Sequence, residues 1–522
     1  MIDPGVFSKE ICSEKLLGSL FLPAETIVRQ VSTLQNYASG FARYYDEFMT
    51  PFMISMRYFY QAEQDKLAKA SPDETMDAYL DLLDFNVDIM NRFLSSSMNA
   101  FNEFNARETQ HALAAWFNTI YKLKGEDFKA LIERQEKIAD RMANVYPKAI
   151  LDIESEFGFH FEGDGNIKVA ETDRFVLYQV LPVNKAVQVN SSAKPILIIP
   201  PFVLGANILS FLPHDNRSYC HCFANQGIPT YIRVLKEIAD TPALQIMTGE
   251  DDANDTQYFC ETIKARHGKP VTLNGYCQGG FLAVCDMLSG KLDGLVDALI
   301  TCVSPIDGTR SVGFTDFLKG LPSRFNSLLY GTKTLPNGNK VADGLLMGWV
   351  YKLKSIENNA PLVAFYRDVM MLSPRNGKEP KISKTAAALN YWLQNERRDL
   401  PIGITEMSYA SFNDPITDDG TLPVKLFGKK LNLKRIQEKK IKWLICYGEH
   451  DDLVEKNSAI APSDFIEVET SAFPKGHVAI ATSWSDPKSA CPLHGIFGEE
   501  KYRGPVRFQL DLDKEMAEAD QE

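Results

Sequence analysis

The stretch at residues 271–280, V-T-L-N-G-Y-C-Q-G-G, constrains the fold of this chain more than any other. Four residues of strand character, 271–274, run into a glycine and then a cysteine. A glycine pair follows and opens the apolar Phe281-Leu282-Ala283-Val284. This is the layout of a nucleophile elbow, G-x-S-x-G, with Cys277 at the serine position. A sharp strand-to-helix turn brings backbones into close contact, so it needs residues without a β-carbon, and Gly275 and Gly279 meet that need. A cysteine presented in this way points to acyl transfer through a thioester.

The chain has 522 residues, too many for one ordinary domain, and its 45% hydrophobic content is ample for a core. One large catalytic domain with an appended module is the expectation. A net charge of −12 argues against nucleic acid as a partner. The nine cysteines include no C-x-x-C, and the single C-x-C at Cys220-His221-Cys222 does not recur, so no metal site is expected. The cysteine count and the absence of a basic, apolar leader predict reduced thiols in a cytoplasm. No run reaches the ~18 apolar residues of a membrane span, so no transmembrane segment is expected.

Residues 24–155 read as helices. Ser71-Pro72-Asp73-Glu74 carries a capping serine, a proline at the first helical position and a glutamate three residues after the cap. Met76, Tyr79, Leu80, Leu83, Val87, Met90, Phe93 and Leu94 then recur at helical spacing. Pro51 is expected to start or kink a helix. The apolar face has two readings, burial within a bundle or a surface for self-association or an apolar phase. Beyond residue 165 short apolar runs at 175–178, 196–199, 228–234, 271–274 and 298–303 alternate with helical patterns such as 252–266. That rhythm predicts a mostly parallel sheet covered on both faces. A mainly helical insertion at 306–438 interrupts it as a cap, and strands resume at 443–447 and 465–468. The expected division is a helical region at 1–165 and an α/β catalytic domain at 166–522. The acidic end, 511–522, reads as a frayed tail.

A cysteine nucleophile needs a base and a carboxylate to orient that base, and in an elbow fold they follow it in the order acid, then histidine. Downstream of Cys277 lie three histidines, His450, His477 and His494. Asp451 follows an apolar strand, with Asp452 in reserve, and His477 stands in the loop P-K-G-H-V-A. The predicted triad is Cys277, Asp451 and His477. His450 is expected to point elsewhere, and His494 to be structural. Oxyanion donors are expected from the N–H of Gln278 and from Phe202 and Val203 in the loop after the early strand, whose prolines cannot donate. Residues 425–442 hold eight Lys or Arg against Glu438. Lys429, Lys430 and Arg435 are candidates for attracting phosphates, against the alternative of a solvated face.

These residues resemble the polyhydroxyalkanoate (PHA) synthases. G-Y-C-Q-G-G is similar to that family's lipase-like box G-x-C-x-G-G, and K-P-I-L-I-I-P-P-F at 194–202 to its strand and P-P-W loop. Residues 216–227, Tyr391-Trp392 with Arg398-Asp399-Leu400-Pro401, the stretch 425–436, residues 448–454 and Gly476-His477 extend the similarity over about 193–480. The resemblance implies an α/β-hydrolase fold and a cytoplasmic enzyme, at times on the surface of storage granules, that polymerises hydroxyacyl-CoA thioesters and releases CoA. CoA enters as part of the substrate, and no separate cofactor is implied. Cys277 would carry the chain, His477 would act as base, and Asp451 would tune the histidine or activate the incoming hydroxyl. Two positions depart from the family pattern: Asp452 replaces a histidine and Phe202 a tryptophan. The N-terminal helices are expected to support a homodimer or granule contact. A thioesterase or intracellular depolymerase of the same fold, with water as acceptor, is the alternative.

Overall fold

The computed structural model describes residues 24–67, 72–320, 331–374 and 380–519. They divide into two compact units, one of residues up to 54, 86–152 and 351–387, the other of 55–85, 153–350 and 388 onward. This division cuts across the expected boundary at 165. It also assigns part of the insertion to the first unit.

The helices expected over 24–155 are present as α1 (Ala24–Leu67), α2 (Pro72–Tyr121) and α3 (Phe128–Asp140), followed by a short π turn at Arg141–Val145. Pro51 lies inside α1 and does not start it. In the first unit, Tyr37, Phe41 and Tyr44 present their rings edge-on to Phe365, with centroids 5.6–6.1 Å apart. Such pairs contribute about 1 kcal/mol each beyond the area they bury. Tyr44 Oη donates to Asp368 at 2.7 Å, and Arg134 bridges Glu108 and Glu126. The apolar face of α2 differs from the bundle reading: Met76, Leu80, Leu83, Val87, Met90 and Leu94 are each more than half exposed. A helical period fixes which residues share a face but not what covers that face. The Ser71 cap lies outside the described residues.

The second unit is built on an eight-stranded sheet. Its strands are β1 (Asn166–Glu171), β2 (Phe175–Val180), β3 (Ile196–Ile199), β4 (Thr230–Leu235), β5 (Val271–Tyr276), β6 (Val296–Cys302), β7 (Lys442–Gly448) and β8 (Glu469–Phe473). The spatial order is β1-β2-β4-β3-β5-β6-β7-β8, and β2 runs against the rest. Every residue of β3 and β5 is buried, as expected of strands covered on both faces. The last strand is displaced from the expected 465–468. Pro462 opens a 3₁₀ turn at Ala461–Asp464, and Phe465 and Ile466 follow before pairing starts at Glu469. The apolar pair Phe465-Ile466 therefore marks a turn and not the strand itself. β1, which is largely exposed, carries no apolar run and was missed.

Helices α4 (Gly249–His267) and α5 (Gln278–Ser289) cover one face of the sheet, and between them and β4 lies a fully buried charge cluster. Arg233 Nη2 donates to Asp252 Oδ2 at 3.0 Å, while Thr256 Oγ1 lies 2.8 Å from Asp286 Oδ2. Burial, then the charge of Asp252, holds the Asp286 carboxyl well above its ordinary value. Both causes favour the protonated form of Asp286, which stands beside the Arg233–Asp252 ion pair. A carboxyl whose folded pKa is raised contributes stability below its unfolded value and loses it as pH rises through the folded one. Asp286→Asn should thus hold or raise the melting temperature at pH 7 and remove that slope. Arg233→Leu, which strands Asp252, should cost about 3–5 kcal/mol in urea denaturation. A large loss in Asp286→Asn would show the carboxyl to be ionised.

Candidate active site

The turn from β5 into α5 is as tight as its glycines imply. A β-carbon on Gly275 would lie 2.3 Å from Gly280 Cα, and one on Gly279 would lie 2.3 Å from the Ile199 carbonyl oxygen. Cys277 sits at the apex with φ 51° and ψ −123°, a strained conformation for a residue with a β-carbon. It is held there by its N–H donating to Cys302 O at 2.8 Å. Its side chain is half-buried at the N-terminus of α5, where helical N–H groups lack internal acceptors and favour negative charge.

Asp451 follows β7 by three residues and is buried. Its Oδ1 accepts from the N–H groups of Leu453 and Val454, both at 3.0 Å, which fixes the carboxylate. Its Oδ2 lies 2.7 Å from His477 Nδ1. The loop carrying His477 is secured by Tyr276 Oη donating to His477 O (3.0 Å) and by Trp484 Nε1 donating to Pro474 O (2.7 Å). In that loop Lys475 takes the left-handed conformation, at φ 76°. Gly476 instead serves close approach, since a β-carbon there would lie 3.1 Å from His450 O.

Burial by itself would lower the pKa of His477. The Asp451 carboxylate, then Cys277 as a charge and hydrogen-bond partner, outweigh it and hold the ring well above an ordinary imidazole. Nε2 is buried and makes no hydrogen bond of regular geometry among the described residues. The ring therefore has one nitrogen committed to the carboxylate and the other left for a proton in transit.

Two of the three expected oxyanion donors are engaged. The N–H groups of Phe202 and Val203 point at the side-chain oxygen of Gln278, at 3.1 and 3.4 Å. Gln278 Nε2 donates to Ser408 Oγ (2.8 Å) on α6 (Ile402–Asn413), within the insertion. Sequence reading gave Gln278 a role through its backbone alone and missed both its side chain and Ser408. Phe202 packs against Phe175 and over the Arg233 guanidinium, and forms part of the wall of a cavity of about 400 Å³ that Phe161, Tyr178 and Arg398 also line.

The other predicted positions fall elsewhere. His450 and Asp452 are exposed, and His494 is half-buried. Lys429, Lys430 and Arg435 line a groove of about 800 Å³ with Gly290, the C-terminal cap of α5. Cys277 caps the opposite end, and the 12 residues between span about 18 Å. The basic groove is thus remote from the thiol. Arg435 there pairs with Asp293 at 2.5 Å. Basic residues at a helix C-terminus complement its dipole, which accounts for part of this enrichment.

The sheet order, with the cysteine after β5, the carboxylate after β7 and the histidine after β8, defines an α/β-hydrolase fold. No family model matches this sequence, and no curated protein does. Solved structures similar to it include a soluble variant of monoglyceride lipase from Saccharomyces cerevisiae (11% identity, 69% of this chain and 98% of that one, TM-score 0.38). A carboxylesterase structure from Nitrososphaera gargenis matches at 12% identity, 60% and 92% coverage and a TM-score of 0.35. A putative aryl esterase from Burkholderia cenocepacia matches at 14%, 68% and 100%, and 0.32. Among the described residues no helix is long and apolar enough to cross a membrane.

The proton on His477 contributes stability that is complete below the ordinary imidazole pKa and lost as pH rises through the raised value. Asp451→Asn removes the larger of the two charges that raise it, so the ring's midpoint should fall. Diethyl pyrocarbonate modification of His477, followed by mass spectrometry across pH, reads that midpoint. An unmoved value would rule out Asp451 as the ring's controlling partner.

Proposed function

We propose that the protein transfers hydroxyacyl groups from CoA thioesters through an acyl-Cys277 intermediate, in the manner of a PHA synthase. The observation carrying this reading is the Asp451–His477 pair, at 2.7 Å, acting on a cysteine at the apex of a strained elbow. Cys277 Sγ attacks the thioester carbonyl while His477 takes the thiol proton. The tetrahedral oxyanion collapses, the bond to the CoA sulfur breaks, and His477 returns the proton to the departing thiolate. The hydroxyl of the next acceptor then gives its proton to His477 and attacks the acyl-Cys277 carbonyl, which lengthens the ester chain and frees the thiol. A ring whose pKa is held up by a fixed carboxylate suits both proton transfers, and general-base assistance of this kind contributes roughly 10²–10⁴-fold. Cys277 is preferred as nucleophile because it alone occupies the elbow, and the family resemblance of residues 193–480 supplies the substrate class. The exposed apolar face of α2 is the surface we assign to self-association or to contact with an apolar granule.

Incubation with 3-hydroxybutyryl-CoA should release CoA, place an acyl mass on Cys277 and yield polyester. Free hydroxy acid as the product would assign water as the acceptor and a thioesterase or depolymerase role. Cys277→Ala should lower CoA release roughly 10⁴-fold or more without lowering the melting temperature. Undiminished turnover in that variant would remove Cys277 from the mechanism.

A further inference from the structure

The side chain of Gln278 occupies two backbone donors of the loop after β3. Attack on a thioester converts its carbonyl oxygen to an oxyanion, which is stabilised by N–H donors already aimed at it. The two donors that the loop after β3 can offer, Phe202 N and Val203 N, both point at Gln278 Oε1, at 3.1 and 3.4 Å. The amide's orientation is forced, because turned the other way its NH₂ would face two donors. Each backbone N–H carries one hydrogen, so while Gln278 Oε1 holds both, neither serves a substrate. The other end of the amide is fixed as well. Nε2 donates to Ser408 Oγ at 2.8 Å, and Ser408 Oγ spends its own hydrogen on Ile404 O at 3.0 Å.

A purely architectural role for this amide is unnecessary. The loop is already tied down by Trp392 Nε1 donating to Leu204 O (3.0 Å), by Asn207 Nδ2 donating to Glu396 (2.7 Å), and by Phe202 seated over Arg233. Gln278 is itself buried. We propose that the Gln278 side chain is a displaceable stand-in for the substrate's acyl oxygen, latched to the cap insertion by Ser408. The proposal rests on the acyl-transfer reading of Cys277. A ligand with a carbonyl at the thiol must evict the amide to engage Phe202 and Val203, so the site favours strongly polarised acyl groups. Rotation of Gln278 away breaks the Ser408 bond, coupling occupancy of the oxyanion site to the insertion.

Butanal tests this, because its adduct places an oxygen at the same donors without requiring turnover. Cys277 Sγ forms a bond to the aldehyde carbon, the carbonyl π pair moves to oxygen, and the thiol's proton ends on that oxygen as a hemithioacetal. Calorimetric titration of the full-length protein and its variants gives the affinity. Gln278→Ala and Ser408→Ala should each bind butanal more tightly, by about tenfold for Gln278→Ala, which frees two hydrogen-bond donors. Gln278→Glu, whose carboxylate is a stronger acceptor for the same two donors, should bind it more weakly and serves as the check should the alanine variant not fold. In turnover of 3-hydroxybutyryl-CoA, Ser408→Ala should lower KM more than it changes kcat. Equal affinity in wild type, Gln278→Ala and Gln278→Glu, or weaker binding by Gln278→Ala at an unchanged melting temperature, would overturn the stand-in alone. No adduct in any of these proteins would overturn it together with Cys277 as nucleophile.

Discussion

The contact on which the site depends is between backbones, where the start of α5 presses on the end of β3. Gly279 lies so close to the Ile199 and Pro200 carbonyls that any side chain there would collide with main chain, which cannot step aside. This contact sets three things at once. It turns Cys277 into its strained conformation, aims the helix N-terminus at the thiol, and brings the loop of Phe202 and Val203 within reach of the same point. A displacement of about 1 Å at the glycines would disturb all of them together, and displacements of that size are costly in catalysis.

Around this contact the protein places two buried electrostatic sets with opposite purposes. Arg233 pairs with Asp252 beside the Asp286 carboxyl between β4, α4 and α5, and the guanidinium supports Phe202 from behind. Asp451 and His477 form a pair whose second ring nitrogen makes no hydrogen bond of regular geometry among the described residues. In the first set the guanidinium and its carboxylate are paired in place. In the second, one ring nitrogen is left over from the pairing.

Much of this was legible in the sequence. The 196–199 run, with every residue buried, and the glycine spacing of 275–280 each encode a local constraint that only one structure satisfies, and the pairing of Asp451 with His477 follows the order expected after an elbow. What could not be read depended on contacts that sequence does not carry. Whether the heptad-like face of α2 is covered is decided by what lies opposite it, and its residues are exposed. The strand before His477 was placed four residues early because Phe465-Ile466 is apolar whether it pairs or turns. For the lysines of 425–442, phosphate attraction and a solvated face were both open, because charge was legible but the direction of α5 was not. Ser408 carries no local signal at all. It matters only because a helix more than a hundred residues downstream crosses the elbow.

The position of the insertion bears on how the chain is made. β6 ends at Cys302 and its neighbour β7 begins at Lys442, so about 140 residues separate two strands that pair along their length. At ribosomal rates of ~5–20 residues per second, β6 presents an open edge for on the order of 10 s. During that interval Cys277 exists without Asp451 or His477, which lie further along the chain. The thiol thus meets the Asp451–His477 pair only when the last strands have joined the sheet, a temporal separation written into the order of the segments.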